Sequence, residues 1–328
     1  MSGGRAVLQY AVRRLLHALP TLLVIVVLNF TLLQIAPGDA ADVLAGEAGA
    51  ATPEFMVQLR HKFGLDQPLY RQLLAYLKNV FTLDLGYSFR HGSTVAALIL
   101  SRLGPTLLLM LSVFALSVGF GVLLGMIAAR NLNRWRDNLI SLLSVLAYAT
   151  PLFWLGLMLI VVFSITLGWF PTSGMQQIAA FHEGPRKLLD IAHHLVLPAI
   201  TLTMFYLALY TRLMRASVLE QASMDYVVTA RAKGLTEKQI AWRHVLRNAA
   251  LPVITMAGIQ FGGLLGGAVV VETVFAWPGM GLLAFDSLFA RDLNLLLGIF
   301  FVSACLVVVV NLLVDIVYKW LDPRIELV

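Results

Sequence analysis

The stretch Leu103–Ala129 reads LGPTLLLMLSVFALSVGFGVLLGMIAA and carries no charged side chain from end to end, with Arg102 and Arg130 on either side of it. A helix of roughly 20 predominantly apolar residues crosses the ~30 Å hydrocarbon core of a bilayer. This run is long enough to do so. Five more of the same kind lie outward from it: Leu15–Ala36 before it, and Ile140–Leu167, Leu195–Met214, Leu251–Val271 and Leu293–Val317 after it. Barrel strands would show segments of about 10 residues alternating apolar and polar. Continuous runs leave helices as the way to satisfy every backbone amide in lipid. The sequence therefore predicts an all-α membrane protein with six transmembrane helices.

Composition agrees. The chain has 328 residues, 59% hydrophobic and only 13% charged, with formal charge +6 and a mean hydropathy of +0.83. Soluble domains are roughly 25% charged, so a water-soluble globular chain is excluded. A single Cys305 excludes an intrachain disulfide and a thiolate metal cluster. The cations follow sidedness. Arg5, Arg13 and Arg14 precede the first run; Arg130, Arg134 and Arg136 follow the second; Arg212, Arg215, Arg231, Lys233, Lys238, Arg243 and Arg247 surround the connection from fourth to fifth. The opposite short connections carry only Arg186, Lys187 and Arg291. By the positive-inside rule both termini are cytoplasmic, and the basic charge belongs to the membrane surface rather than to a nucleic acid. The first run exceeds the 7–15 residues of a signal-peptide core, so it reads as a retained anchor.

Three regions follow: a tail and first span over 1–36, an outer amphipathic segment over 37–102, and a five-helix core over 103–328 with a cytoplasmic loop at 215–250. In the outer segment Thr52 and Pro53 read as N-cap and first helical position, with Phe55, Met56, Leu59 and Phe63 as an apolar stripe. After Pro68 the stripe returns as Leu69, Leu73, Tyr76, Leu77 and Val80, for packing against the bundle or docking a partner. Small residues recur four apart as Ser117, Gly121 and Gly125, and as Gly258, Gly262 and Gly266. Such faces permit close helix approach, and the denser second set also fits a narrow pore or sliding contact. Polar groups in or beside the spans are Asn29, Gln34, Glu272, Asn311 and Asp315, the last reading as a helix-end pair with Lys319. Glu272 precedes the turn-rich outer stretch Val274–Gly281, which holds Trp277; both residues are candidates for anchoring that stretch or lining a passage.

The connection after the fourth span is built of helix signals. Asp225 can cap a short helix through Lys233, stopped by Gly234; Thr236 and Gln239 form a capping box that starts a second helix, ended near Leu251 and Pro252. Tyr226, Ala230 and Gly234 fall four apart as a low-relief face, while Arg231 and Lys233 project elsewhere. The hairpin either inserts into a partner's groove or packs beneath the bundle.

Asp225-Tyr226-Val227-Val228-Thr229-Ala230-Arg231-Ala232-Lys233-Gly234-Leu235, followed by His244 through Pro252, resembles the coupling-loop signature of ABC importer permeases of the dipeptide, oligopeptide and nickel branch. The resemblance runs the whole chain. It includes Arg13-Arg14-Leu15, Ala36-Pro37-Gly38-Asp39, Gly64-Leu65-Asp66, Asp84-Leu85-Gly86 with Ser88, Trp169-Phe170-Pro171, Glu272 through Gly281, Asn311 with Asp315, and Asp322-Pro323-Arg324. It implies a permease half that pairs with a second homologous permease, two cytoplasmic ATP-binding subunits and an extracytoplasmic solute-binding protein, in a bacterial inner membrane. The helix around Tyr226–Gly234 would dock in a cleft of the ATPase. The general family motif opens Glu-Ala-Ala, whereas Val228, Thr229 and Ala230 stand here, so the docking helix carries over but an acidic contact does not. Ala40 also follows Asp39 where the branch commonly has proline.

No Gly-x4-Gly-Lys-Ser/Thr loop occurs, so ATP and Mg would be bound by partner subunits and this chain needs no cofactor of its own. No His-Glu-x-x-His or Gly-x-Ser-x-Gly motif is present either, which leaves no catalytic residue or metal site to name. One alternative is an ion-coupled secondary transporter, which should show midplane charges and broken helices. Another is an intramembrane enzyme, but His17, His193 and His194 sit at span boundaries. The solute stays open between peptides, nickel complexes and other small molecules.

Overall fold

The structure is a computed structural model and describes residues 3–35, 52–62, 65–88, 90–177, 179, 181 and 183–321. The motifs at Ala36–Ala40 and Asp322–Arg324, with Phe63 and Gly64, lie outside the described residues, as do the side chains of Arg5, Arg13, Arg14, His17, Leu59, Asp315 and Lys319. The elements are α1 (Gly3–Ile35), α2 (Pro53–Lys62), α3 (Leu69–Phe81), β1 (Tyr87–Ser88), β2 (Ser93–Thr94), α4 (Val95–Arg130), α5 (Trp135–Ala149), α6 (Leu152–Leu159), α7 (Gly184–Ala222), α8 (Asp225–Ala232), α9 (Glu237–Ile240), α10 (Leu246–Val274), α11 (Met280–Phe289) and α12 (Leu293–Leu321).

Among the described residues, four helical stretches are long and apolar enough to cross a bilayer: Val95–Arg130, Gly184–Ala222, Glu237–Val274 and Leu293–Val314. The run Ile140–Leu167, read above as one span, is broken instead. α5 and the segment Leu152–Thr166, which closes in a π-helical turn at Ile160–Thr166, meet at 105°. Pro151 causes the break: its ring pushes the preceding residue out of the helical region, and Thr150 sits at φ −79°, ψ 128°. Pro151 then caps α6 from its N-terminal side, where a missing N–H costs nothing. In α1 the described apolar stretch Leu19–Leu32 is shorter than the other four.

The chain falls into two compact units. The first comprises Met1–Leu103 with Leu283–Leu312. Its core holds Val26, Val80 and Phe301, with Tyr76, Leu77, Leu85, Val302 and Cys305 packed around them. The stripe on α3 therefore packs against α1 and α12; Phe30 and Tyr76 lie 6.0 Å apart between ring centroids. α2 begins where expected, with the Phe55 N–H donating to Thr52 Oγ1 at 3.3 Å. In the hairpin β1–β2, Tyr87 faces Thr94 and Ser88 faces Ser93.

The second unit comprises Gly104–Leu282 with Leu313–Val328, and α7 packs against α4, α5, α6 and α10 within it. The small stripe on α4 explains one of these contacts. A Cβ at Gly121 would stand 2.5 Å from Tyr210 Cβ, and one at Gly125 would stand 2.6 Å from Met214 Cβ and 2.7 Å from the Thr211 carbonyl. Only glycine admits α7 this closely. Gly125→Leu should therefore separate the helices at a cost of about 1–3 kcal/mol or more, read as a lower unfolding temperature in detergent; an unchanged melting curve would contradict the packing.

Candidate functional site

α7 runs unbroken to Ala222 and turns through Ser223 and Met224 into α8. Asp225 is the first residue of α8 rather than its cap. Met224 holds the cap position without a side-chain bond, and the Asp225 carboxylate sits in the first turn, where it complements the helix dipole. Gly234, at φ +79°, terminates the segment in the left-handed region that glycine enters without penalty. The Thr236–Gln239 capping box forms as its spacing predicts: the Gln239 N–H donates to Thr236 Oγ1 at 3.3 Å, and the Thr236 N–H donates to Gln239 Oε1 at 2.9 Å. The second helix does not end near Leu251 and Pro252. α9 passes through a π turn at Ala241–Val245 directly into α10, with Pro252 inside it. Proline already has a helical φ and forfeits one backbone bond, a loss that neighbouring helices make tolerable. The loop thus joins two long helices, α7 before it and, through α9, α10 after it.

The expected low-relief face of α8 points differently from its sequence reading. Ala230 is buried together with Val227, three residues before it, and Tyr226 is half-buried with its hydroxyl donating to Gln221 Oε1 at 2.9 Å. An eight-residue helix makes barely two turns, so its inner face is set by what lies beneath it and not by spacing. The exposed side presents Asp225, Val228, Thr229, Arg231 and Ala232, followed by Lys233 and Gly234, with Leu235 half-buried; Val228 is 59% exposed although apolar. Arg231 clips α8 to α9 through a fork on Glu237, with Nε–Oε1 2.7 Å and Nη2–Oε2 3.2 Å. That fork raises the Arg231 pKa and holds the Glu237 carboxyl below its usual value.

Among the pathway candidates, Gly258 is buried directly against Val314, Gly262 is half-buried, and Gly266 is exposed with nothing within 4 Å of a Cβ built there. Close packing accounts for the first, and the line opens outward along α10. Glu272 and Trp277 present no surface to a passage, since both are 0% exposed. Glu272 Oε2 accepts from the N–H groups of Gly281 at 2.7 Å and Leu282 at 3.0 Å, and Oε1 accepts from Thr106 Oγ1 at 2.7 Å. Trp277 Nε1 donates to the Pro105 carbonyl at 3.0 Å, and the Met280 N–H donates to Thr106 Oγ1 at 2.7 Å. A buried carboxylate persists when several donors satisfy it. Of the two roles open to Glu272, the geometry gives it loop anchoring. Thr106→Val should cost about 1–3 kcal/mol by leaving the Met280 amide unpaired, measurable as a lowered unfolding temperature; no change would contradict the network.

Sequence reading missed Asp137. Its carboxylate takes a bidentate fork from Arg215, Nε–Oδ1 2.7 Å and Nη2–Oδ2 2.8 Å, and also accepts from the Asn133 N–H at 3.0 Å. The Arg215 hydrogen bonds lower its pKa from 3.8 to about 2. A depressed folded-state pKa adds stability that is present above the unfolded value and lost as pH falls through the folded one. Thermal stability should therefore hold at neutral pH and decline from about pH 4 toward pH 2, and Asp137→Asn should remove this pair's share of the decline. Ser88, also unremarked beyond its motif, donates to Asp292, with His91 Nδ1 at 3.1 Å from its hydroxyl. Among the described residues no group of three His, Cys, Asp or Glu could hold a metal.

Long apolar helices, a capped and ion-paired connection between two of them, and a loop tied down by a buried acid define a multi-pass membrane protein. The model of the binding-protein-dependent transport system inner membrane component family matches residues 121–327, and its N-terminal companion matches residues 7–110. The chain belongs to that family and is an ABC importer permease subunit. It is 42% identical over 320 residues to a putative peptide permease protein of Brucella ovis, covering 97% of this chain and 99% of that one. It is 41% identical to the oligopeptide transport system permease protein AppB of Bacillus subtilis (97% and 99% covered) and 41% identical to the glutathione transport system permease protein GsiC of Escherichia coli (97% and 99% covered). Among solved structures, an inward-facing MetNI methionine ABC transporter chain aligns with TM-score 0.54 at 15% identity, covering 69% of this chain and 97% of that chain. That last likeness shows the fold.

Proposed function

We propose that this subunit forms, with a second homologous permease, the transmembrane pathway for a peptide delivered by an extracytoplasmic binding protein, and that two cytoplasmic ATPases holding ATP and Mg drive it through α8. The peptide assignment rests on the relatives named peptide, oligopeptide and glutathione permeases. This reading has six crossings with both termini cytoplasmic, counting α1 and the bent α5–α6 pair as one span each beside the four long helices, and the side on which the cations gather supports it. The coupling residues are Asp225, Tyr226, Thr229, Ala230, Arg231, Ala232, Lys233, Gly234 and Leu235; Ala230, with the neighbouring Val227, seats the helix, and the exposed side meets the ATPase. Gly262 and Gly266 are the pathway candidates with open surface. An ion-coupled secondary transporter is not favoured.

One observation carries the coupling assignment: a short helix joined to α7 by a two-residue turn and clipped to α9 through Arg231 and Glu237 exposes an apolar Val228 among charges. Purifying the intact assembly and identifying its subunits and the binding protein's ligand by mass spectrometry tests the proposal. Two ATPases, a second permease and a bound peptide are expected. A chain that purifies alone and transports without ATP contradicts it.

A further inference from the structure

Asp137 joins three pieces of the bundle at one point. It lies in the first turn of α5, only 2% exposed. Its carboxylate receives the Arg215 fork from α7 and the Asn133 amide from the turn that follows α4, and Ser141 Oγ stands 3.5 Å from Oδ1. Arg215 lies seven residues before the end of α7 at Ala222, or about 10 Å along the axis. On its α4 side, α7 is held by the Gly121 and Gly125 approaches to Tyr210 and Met214. One turn nearer the middle of α7, the Arg212 guanidinium lies 5.0 Å from the centroid of the Tyr148 ring of α5. The cytoplasm-proximal part of α7 is thus tied to α4 and α5 just before it enters the coupling loop.

We propose that the Asp137–Arg215 pair locks α4, α5 and α7 into one rigid body, so that displacement of α8 reaches the membrane helices together and not as local bending of α7. This rests on the coupling role of α8 proposed above, and it makes Asp137 and Arg215 positioning residues for transport. A surface ion pair would not serve, because exposed pairs contribute little and are screened. A planar fork on a buried carboxylate fixes both distance and orientation.

The test uses the assembled transporter on a Cys305→Ser background. Spin labels at exposed Asn138 on α5 and Ala216 on α7 should keep one separation with and without ATP. A fluorophore at exposed Leu188, toward the other end of α7, should respond to ATP. Asp137→Asn and Arg215→Gln should cut that response about ten-fold while ATP hydrolysis continues; Arg215→Lys, a charge without the fork, should fall between. The exchanged pair Asp137→Arg with Arg215→Asp should recover part of it. A full Leu188 response in either assembled single variant overturns the inference. So does a change in the Asn138–Ala216 separation on ATP addition, a measurement that leaves the pair intact and decides the matter even where the variants fail to assemble. A parent Leu188 signal indifferent to ATP would instead overturn the coupling role of α8 itself.

Discussion

Arg231→Glu is expected to leave the transporter assembled and hydrolysing ATP while reducing solute moved per ATP by roughly ten-fold or more. The Arg231–Glu237 pair is exposed, so the stability lost with it is small. The effect on coupling is larger for two reasons. Two acids would face each other across the α8–α9 bend, loosening a lever whose use depends on rigidity. A reversed charge would also sit on the surface proposed to meet the ATPase, where a like-charge contact would cost several kcal/mol. Shifting a bundle from 1:99 to 99:1 takes about 5.5 kcal/mol of differential binding, so little of it can be lost before the pathway stops responding. Exchanging the pair, Arg231→Glu with Glu237→Arg, should restore the bend and with it part of the coupling. Gly234→Trp should act in the same direction, since φ +79° strains any L-residue by about 1–2 kcal/mol. Normal uptake by both variants in intact complexes would remove α8 from the mechanism.

Glu272→Ala is expected to have the largest effect on the folded protein. It strips the acceptor from the Gly281 amide and the Thr106 hydroxyl, both buried, and from the half-buried Leu282 amide. Each orphaned donor costs about 1–3 kcal/mol, so the three together remove roughly 3–9 kcal/mol, more than half of the 5–15 kcal/mol stability of an ordinary domain. The carboxylate has no spare room: a Cβ at Gly279 would run into it, and one at Gly281 would stand 2.6 Å from Val269 Cα and 2.9 Å from Glu272 Oε2. Glu272→Gln keeps one acceptor and the shape, and should lie between the alanine variant and the parent. The outcome is read as monodisperse protein surviving detergent extraction and heating. An alanine variant as stable as the parent would show that the loop from Phe275 to Gly279 does not depend on this acid.

Local signals in the sequence located most of the helices. Unbroken apolarity marked the long spans, Thr52-Pro53 and Pro68 marked the starts of α2 and α3, and Thr236 with Gln239 marked α9. Two misplacements have local causes. Pro151 divides the third run because Thr150 is driven extended, a signal that the surrounding apolarity hid, whereas Pro252 leaves α10 intact. The inner face of α8 depends on what lies under it, which eight residues do not encode. The remaining misses are long-range. Asp137 meets Arg215 from 78 positions away, Thr106 meets Glu272 from 166, and Ser88 meets Asp292 from 204. A lone polar residue near the end of an apolar helix carries no mark of its partner, and only the folded chain brings the two together.

If an ATP-binding subunit grips the exposed side of α8, the two surfaces lie within reach of a short cross-linker. A Val228→Cys variant on the Cys305→Ser background, treated with a short bifunctional thiol reagent in the assembled transporter, should cross-link to the ATP-binding subunit, with a yield that changes when ATP is added. Failure of Val228→Cys to cross-link to any ATP-binding subunit, while the same chain imports solute at the parent rate, would contradict it.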